Sequence, residues 1–189
     1  MLPANLADDA PWKQRFHAPS ILFSRIAWQD PARGVVVSNQ SGVYQVYAWD
    51  VPAGTLRAIT DHPTGVAFGG ISPDGRYLFY HEDEGGNEIG HFYRVPFDGG
   101  EPLCLTPDFA PYASYSISQS VDGRLLGFMT ASAEGFNAYT MKVAEDGTLG
   151  RPKRRYHSAA LSFGPVLAHD ADRAVIATNE GESGYQFRL

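Results

Sequence analysis

A unit of turn and strand returns four times along this 189-residue chain, and that recurrence restricts the fold more than any other feature. Its clearest copy runs from Ile71 to Thr106, ISPDGRYLFYHEDEGGNEIGHFYRVPFDGGEPLCLT. The turn Ser72-Pro73-Asp74-Gly75 comes first. Pro73 presets φ at its first central position, and Asp74-Gly75 tolerate the positive φ of a tight hairpin. Tyr77 to His81 is rich in β-formers, and an acidic, glycine-containing loop follows from Glu82 to Glu88. The alternating strand His91–Val95, a second turn at Asp98-Gly99-Gly100 and the short strand Pro102–Thr106 complete the unit. With Val66–Ile71 ahead of it, the segment reads as four short antiparallel strands, a meander of about forty residues.

Two independent markers keep step. Arg76, just after the turn, has counterparts at Arg33, Arg124 and Arg173, at spacings of 43, 48 and 49 residues. The aromatic of the following strand recurs as Tyr47, Tyr93, Tyr139 and Phe187, at spacings of 46, 46 and 48. A blade-length period carried by a meander predicts an all-β fold, a partial β-propeller. Three complete four-stranded antiparallel blades are expected at about 21–60, 66–106 and 112–157, with an incomplete blade at 161–189. The strand ahead of each arginine-marked turn, including Val66–Ile71 and Tyr115–Ser118, should be innermost, and the four aromatics should be equivalent. In this alignment Leu189 matches Val95, so the last blade stops in its third strand. The chain therefore reads as the N-terminal part of a longer protein, because a blade without its outer strand leaves a raw edge.

Residues 1–18 precede the propeller domain at 19–189. Asp8 or Asp9 could cap a short helix with Pro11 in its first turn, placing Trp12 and Phe16 on one face. Hydrophobic residues make up 43% of the chain and aromatics 13%, which argues for a folded chain. The net charge of −6 excludes nucleic acid as a natural partner, since phosphate binding needs a concentrated basic surface. Met1 to Pro11 has neither a basic nor an apolar leader region, and no apolar run approaches the ~20 residues of a spanning helix, so a cytoplasmic location without membrane contact is expected. Cys104, the single cysteine, excludes an internal disulfide and reads as a buried small hydrophobe in a Leu-Cys-Leu strand.

The chemistry-bearing residues are few. No G-x-S-x-G elbow occurs. The nearest run, Gly181-Glu182-Ser183-Gly184, belongs to a hairpin turn, so no catalytic residue is assigned. The six histidines are scattered, and His81-Glu82-Asp83-Glu84 lacks the spacing of a zinc or calcium site, so neither metal nor cofactor is expected. Glu82, Asp83, Glu84 and Glu88 form the most charged loop. Their carboxylates can be a solvated rim, or can attract an amino group or a basic group of a partner domain. Arg151, Lys153, Arg154 and Arg155 form the basic cluster, read as a solvated outer edge that discourages pairing between sheets.

The segment SPDGRYLFY, the acidic GGNE loop and HFYRVPFDGGEPLCLT together resemble the N-terminal propeller of prolyl oligopeptidase-family serine peptidases, nearest the acylaminoacyl-peptidase and dipeptidyl-peptidase branches. The SPDG turn alone is shared with TolB-like propellers. The acidic loop and the lead-in Trp12 to Phe23 favour the peptidases. The resemblance covers roughly Pro11 to Leu189. It implies a propeller of seven or eight blades joined to a C-terminal α/β-hydrolase domain acting on short peptides, and 189 residues hold neither in full. The family's catalytic residues would lie beyond Leu189. The candidate interdomain or gating residues are Glu82, Asp83, Glu84 and Glu88, with Glu88 best matching the family's recurring glutamate. The rival expectation is a TolB-like binding or scaffold propeller with no hydrolase domain.

Overall fold

The computed structural model describes residues 7, 10, 13, 18–181 and 184–188, and all the elements among them are strands. The expected lead-in helix (Asp8, Asp9, Pro11, Trp12, Phe16) lies outside the described residues. β1 (Ile21–Ile26), β2 (Arg33–Ser38), β3 (Gln45–Asp50) and β4 (Thr55–Ala58) form a four-stranded antiparallel sheet in chain order. β5 (Gly69–Ile71), β6 (Tyr77–Asp83), β7 (Ile89–Pro96) and β8 (Leu103–Cys104) make the second meander. After the short β9 (Tyr112–Ala113), the third consists of β10 (Ile117–Gln119), β11 (Leu125–Ser132), β12 (Gly135–Lys142) and β13 (Lys153–Ser158). β14 (Ser162–Leu167), β15 (Ala174–Gly181) and β16 (Gly184–Arg188) form a three-stranded sheet.

The second and third meanders are joined into one nine-stranded sheet, which the repeat alone did not indicate. β9 pairs with the start of β7 (Gly90↔Tyr112, Ile89↔Ala113) and with the end of β11 (Ala131↔Ala113). Tyr112 therefore belongs to a connector clamped between two blades. The corresponding connector after the first blade carries Val66, whose N–H donates to the Tyr44 carbonyl (2.6 Å). The innermost strand of the second blade is accordingly shorter than Val66–Ile71.

The serine-led turns explain how the hairpins hold. Ser72 Oγ donates to Asp74 Oδ1 (2.6 Å), Arg76 N–H donates to the same oxygen (3.0 Å), and Tyr77 N–H donates to Ser72 Oγ (2.9 Å). Ser120, Asp122, Arg124 and Leu125 repeat the arrangement at 2.6, 3.0 and 3.0 Å. Burial alone would raise the Asp74 carboxyl, but the bonds from Ser72 and Arg76 outweigh it and hold it below its ordinary value. Blades one and four have Ala27 and Ala168 at the serine position. Their turns close on the arginine itself: Ala27 N–H donates to the Arg33 carbonyl and Ala168 N–H to the Arg173 carbonyl, where Tyr77 and Leu125 accept in the other two.

Arg33 and Arg173 are thus displaced by one place from Arg76 and Arg124, and this corrects the expected equivalence of the aromatics. Tyr47 still faces Val36, as Tyr93 faces Tyr80 and Tyr139 faces Phe128. In the fourth blade, however, Ile176 faces Arg188, and Phe187 falls one residue off, beside Ala177. A slip of one residue turns a side chain to the other face of the sheet. Phe187 is 75% exposed, whereas Tyr47 is 4% exposed.

The sheets pack face to face through three cores. Val35, Val37, Val46 and Ala48 of the first meet Leu78, Tyr80, Val95 and Phe97 of the second. Phe79 and Phe92, pointing the other way, meet Leu126, Phe128 and Met141. Tyr77–Tyr80 reads as a continuous apolar run because successive side chains serve opposite, equally buried faces. Cys104 corrects the expectation of burial: it is only half-buried, on the short edge strand β8.

Candidate functional site

Two places gather polar chemistry, at opposite ends of the second blade's strands. The first is the acidic segment. Glu82 and Asp83 are not loop residues, as expected, but the last two residues of β6, opposite His91 and Gly90. Asp83 is committed to the loop's own backbone, accepting from Gly86 N–H (2.9 Å) and Glu88 N–H (2.6 Å). Asn87 Oδ1 accepts from Ile89 N–H (2.9 Å). These bonds hold Glu88 at φ 63°, the left-handed region that favours glycine. Glu82, Glu84 and Glu88 make no side-chain hydrogen bond or ion pair among the described residues. Glu88 lies over a crevice lined by Val66, Phe68, His81, Ser114 and Tyr115. The structure thus leaves Glu82, Glu84 and Glu88 as available carboxylates and removes Asp83 from that set.

Beneath the loop lies a buried polar lock that sequence reasoning missed. Thr106 Oγ1 bonds His91 Nδ1 (3.1 Å) and Tyr112 Oη (2.9 Å), and Phe92 N–H donates to that Oη (3.3 Å). The first blade has Thr60 Oγ1 donating to Gln45 Oε1 (2.7 Å), and the third has His157 Nδ1 bonded to Asn137 Oδ1 (3.0 Å). The threonine recurs only in the first two copies, as Thr60 and Thr106, and its partner changes from Gln45 to His91 to Asn137, so no motif runs through all three, although position 45/91/137 is polar each time. Burial pushes His81, edge-on to Phe92, below the ordinary histidine value.

The second place is a cavity of about 440 Å³ at the innermost strands. β1 contributes Arg25 and Ile26, the following turn Trp28, β5 Gly70 and Ile71, and β10 Ile117, Ser118 and Gln119, with Pro73 and Val121 at the turns. Gln29 clasps three blades around it. Its N–H donates to the Pro73 carbonyl (2.7 Å) and its Nε2 to the Val121 carbonyl (2.5 Å).

Of the basic cluster, Lys153, Arg154 and Arg155 lie on the edge strand β13 as expected and Arg151 precedes it, but two of the side chains fold back onto the sheet. Arg155 Nε donates to Thr140 Oγ1 (2.9 Å) and Arg154 to Asn137 Oδ1 (3.4 Å). Among the described residues no group of three or more His, Cys, Asp or Glu could hold a metal ion, and no helix is long and apolar enough to cross a membrane. Glu182 and Ser183, of the run nearest to a hydrolase elbow, lie outside the described residues.

No family model and no curated protein sequence matches the chain. Solved structures do. The tricorn protease matches at 10% identity over 86% of this chain and 16% of its own, with a TM-score of 0.58. A protein assigned as TolB from Agrobacterium tumefaciens matches at 19% over 92% of this chain and 61% of its own, at 0.62. Oligogalacturonate lyase in complex with manganese matches at 13% over 89% and 49%, at 0.61. All three are β-propeller folds, and with the stacked antiparallel meanders they define the class: this chain is an all-β, TolB-like propeller module. It spans less than two thirds of the length of each.

Proposed function

We propose that this chain is the non-catalytic propeller portion of a serine peptidase acting on short peptides, shielding and gating an α/β-hydrolase active site elsewhere in the protein. The observation that carries the reading is Glu88, held in a left-handed conformation by Asp83, with a carboxylate that has no partner among the described residues. A loop knitted so tightly around an unpaired charge suits docking to a basic group, here an arginine of the hydrolase domain. Glu88→Gln in the full-length protein tests it. Loss of a pair shielded from water costs about 3–5 kcal/mol, against about 0–1 kcal/mol for a rim contact. Glu84→Gln should do little, and equal, negligible effects of the two on stability and peptide hydrolysis would reduce the loop to a solvated rim. The 189-residue chain alone should take no label from a fluorophosphonate probe.

A TolB-like binding module without a hydrolase domain is the second reading, favoured by the clasped axial cavity and by the match over 92% of the chain to the Agrobacterium protein. The surrounding coding sequence discriminates between them, since only the peptidase requires a G-x-S-x-G elbow.

A further inference from the structure

We propose that the axial cavity is a binding site for a small aromatic monocarboxylate carrying one N–H or O–H donor; this holds for the module in either role. The cavity has the volume of a small-molecule site, and it is built by the chain rather than left between loops. It exists because β5 begins with Gly69-Gly70. Gly69 lies against Val37 and Val46 of the neighbouring blade, so its missing side chain serves packing. Gly70 is different. A Cβ there would meet only Phe79 Cβ, at 3.9 Å, and its φ is one that any residue adopts. The absent side chain opens the space between β5 and β10, down to Phe79 and Leu126.

The lining specifies the ligand. Ile26, Trp28, Ile71, Pro73, Ile117 and Val121 supply an apolar, partly aromatic wall, and Trp28 is 75% exposed at its rim. Gln119 supplies an unmet acceptor. Its Nε2 donates to the Gly123 carbonyl (2.8 Å), which fixes the amide's orientation, because the flipped amide would set two acceptors against each other. Its Oε1 is then buried and has no hydrogen-bond partner. Buried polar atoms are rarely left so, and this one calls for a donor. Arg25 supplies a cation. It lies 5.3 Å from the Phe23 ring and forms no ion pair among the described residues. A carboxylate is the group that a guanidinium pairs best, through two parallel hydrogen bonds. An aromatic body, one donor and one carboxylate together complement these three features.

Indole-3-propionate carries all three and is the probe, titrated calorimetrically into the 189-residue chain. One saturable site is expected. Indole-3-propionamide, which lacks the charge, and 1-methylindole-3-propionate, which lacks the donor, should each bind about tenfold more weakly. Arg25→Gln should erase the difference between acid and amide, and Gln119→Leu the difference between N–H and N-methyl. Gly70→Val fills the space without backbone strain and should abolish binding while leaving the melting temperature unchanged. The proposal is overturned if the native chain shows no saturable binding, if Gly70→Val binds as the native chain does, or if either pair of probes keeps its difference in the matching variant.

Discussion

Blades two and three meet ring against ring, whereas blade four offers blade three aliphatic side chains and hydrogen bonds. In the first interface Phe128 lies 6.1 Å from Phe92 and 5.4 Å from Tyr139, and Tyr112 closes the group. In the second, Met129 and Ala138, with the half-buried rings of Phe136 and Tyr156 beside them, meet Ile176, while the inner edge is tied by Ser116 Oγ to the Gly164 carbonyl and Ser118 Oγ to the Pro165 carbonyl, both 2.6 Å. The contrast follows from register. The fourth blade's one-residue offset puts Phe187 on the face turned away from blade three, where it joins Phe163 and Tyr185 among the exposed aromatics. Blade three is therefore met by smaller groups, and close approach takes the place of ring-on-ring packing across the two blades. Gly127 marks that approach: a Cβ there would stand 2.7 Å from Pro165 Cγ.

The comparison can be tested in order of expected effect. Phe128→Ala removes a fully buried ring and should destabilise by about 3–5 kcal/mol in chemical denaturation, with Ile176→Ala nearer 2 kcal/mol. Equal losses would mean that the two interfaces carry equal weight. Gly127→Ala forces the third and fourth blades apart and should cost about 1–3 kcal/mol, while Gly70→Ala, with open space around it, should cost far less. Ser118→Ala deprives the Pro165 carbonyl of its donor and should cost about 1 kcal/mol if the polar edge matters as argued.

His81 provides a pH test confined to the second and third blades. Burial lowers its proton affinity in the folded chain, so the fold favours the neutral ring. The groups facing it are the Tyr112 carbonyl, Asp83 and His91. Its stabilising contribution is complete above the unfolded value of ~6.5 and is lost as pH falls toward the lower folded value. Thermal melts between pH 7.5 and 5.5 should show declining stability that His81→Gln flattens, and an unchanged slope in that variant would assign the decline elsewhere. The smallest effect belongs to Phe187→Ala, within about 0.5 kcal/mol because the ring is already in water. A loss like that of Phe128→Ala would show the register of the fourth blade to be wrong.

Much of this was legible in the chain. The turns Ser72–Gly75 and Ser120–Gly123, the strands after them and the all-β class follow from local chemistry: proline, aspartate and glycine dictate turns, and β-branched and aromatic runs dictate strands. The acidic segment was legible as a site, but its division of labour was not. Asp83 and Glu88 look alike in sequence, and only the folded loop shows one carboxylate consumed by two backbone N–H groups and the other left over. The axial cavity was illegible for a different reason. Arg25, Gly70 and Gln119 are far apart in the chain, and nothing local requires them to meet.

By itself, then, the sequence determined what each short segment becomes and that four such segments recur, because turn geometry and strand preference act over a few neighbouring residues. Tertiary structure decided register, the merging of two blades through Tyr112-Ala113, the direction of Phe187 and the space left by Gly70. These depend on which face of a strand meets which neighbour. A single-residue offset, worth nothing in local propensity, reverses that outcome once a sheet must bury one face against the next.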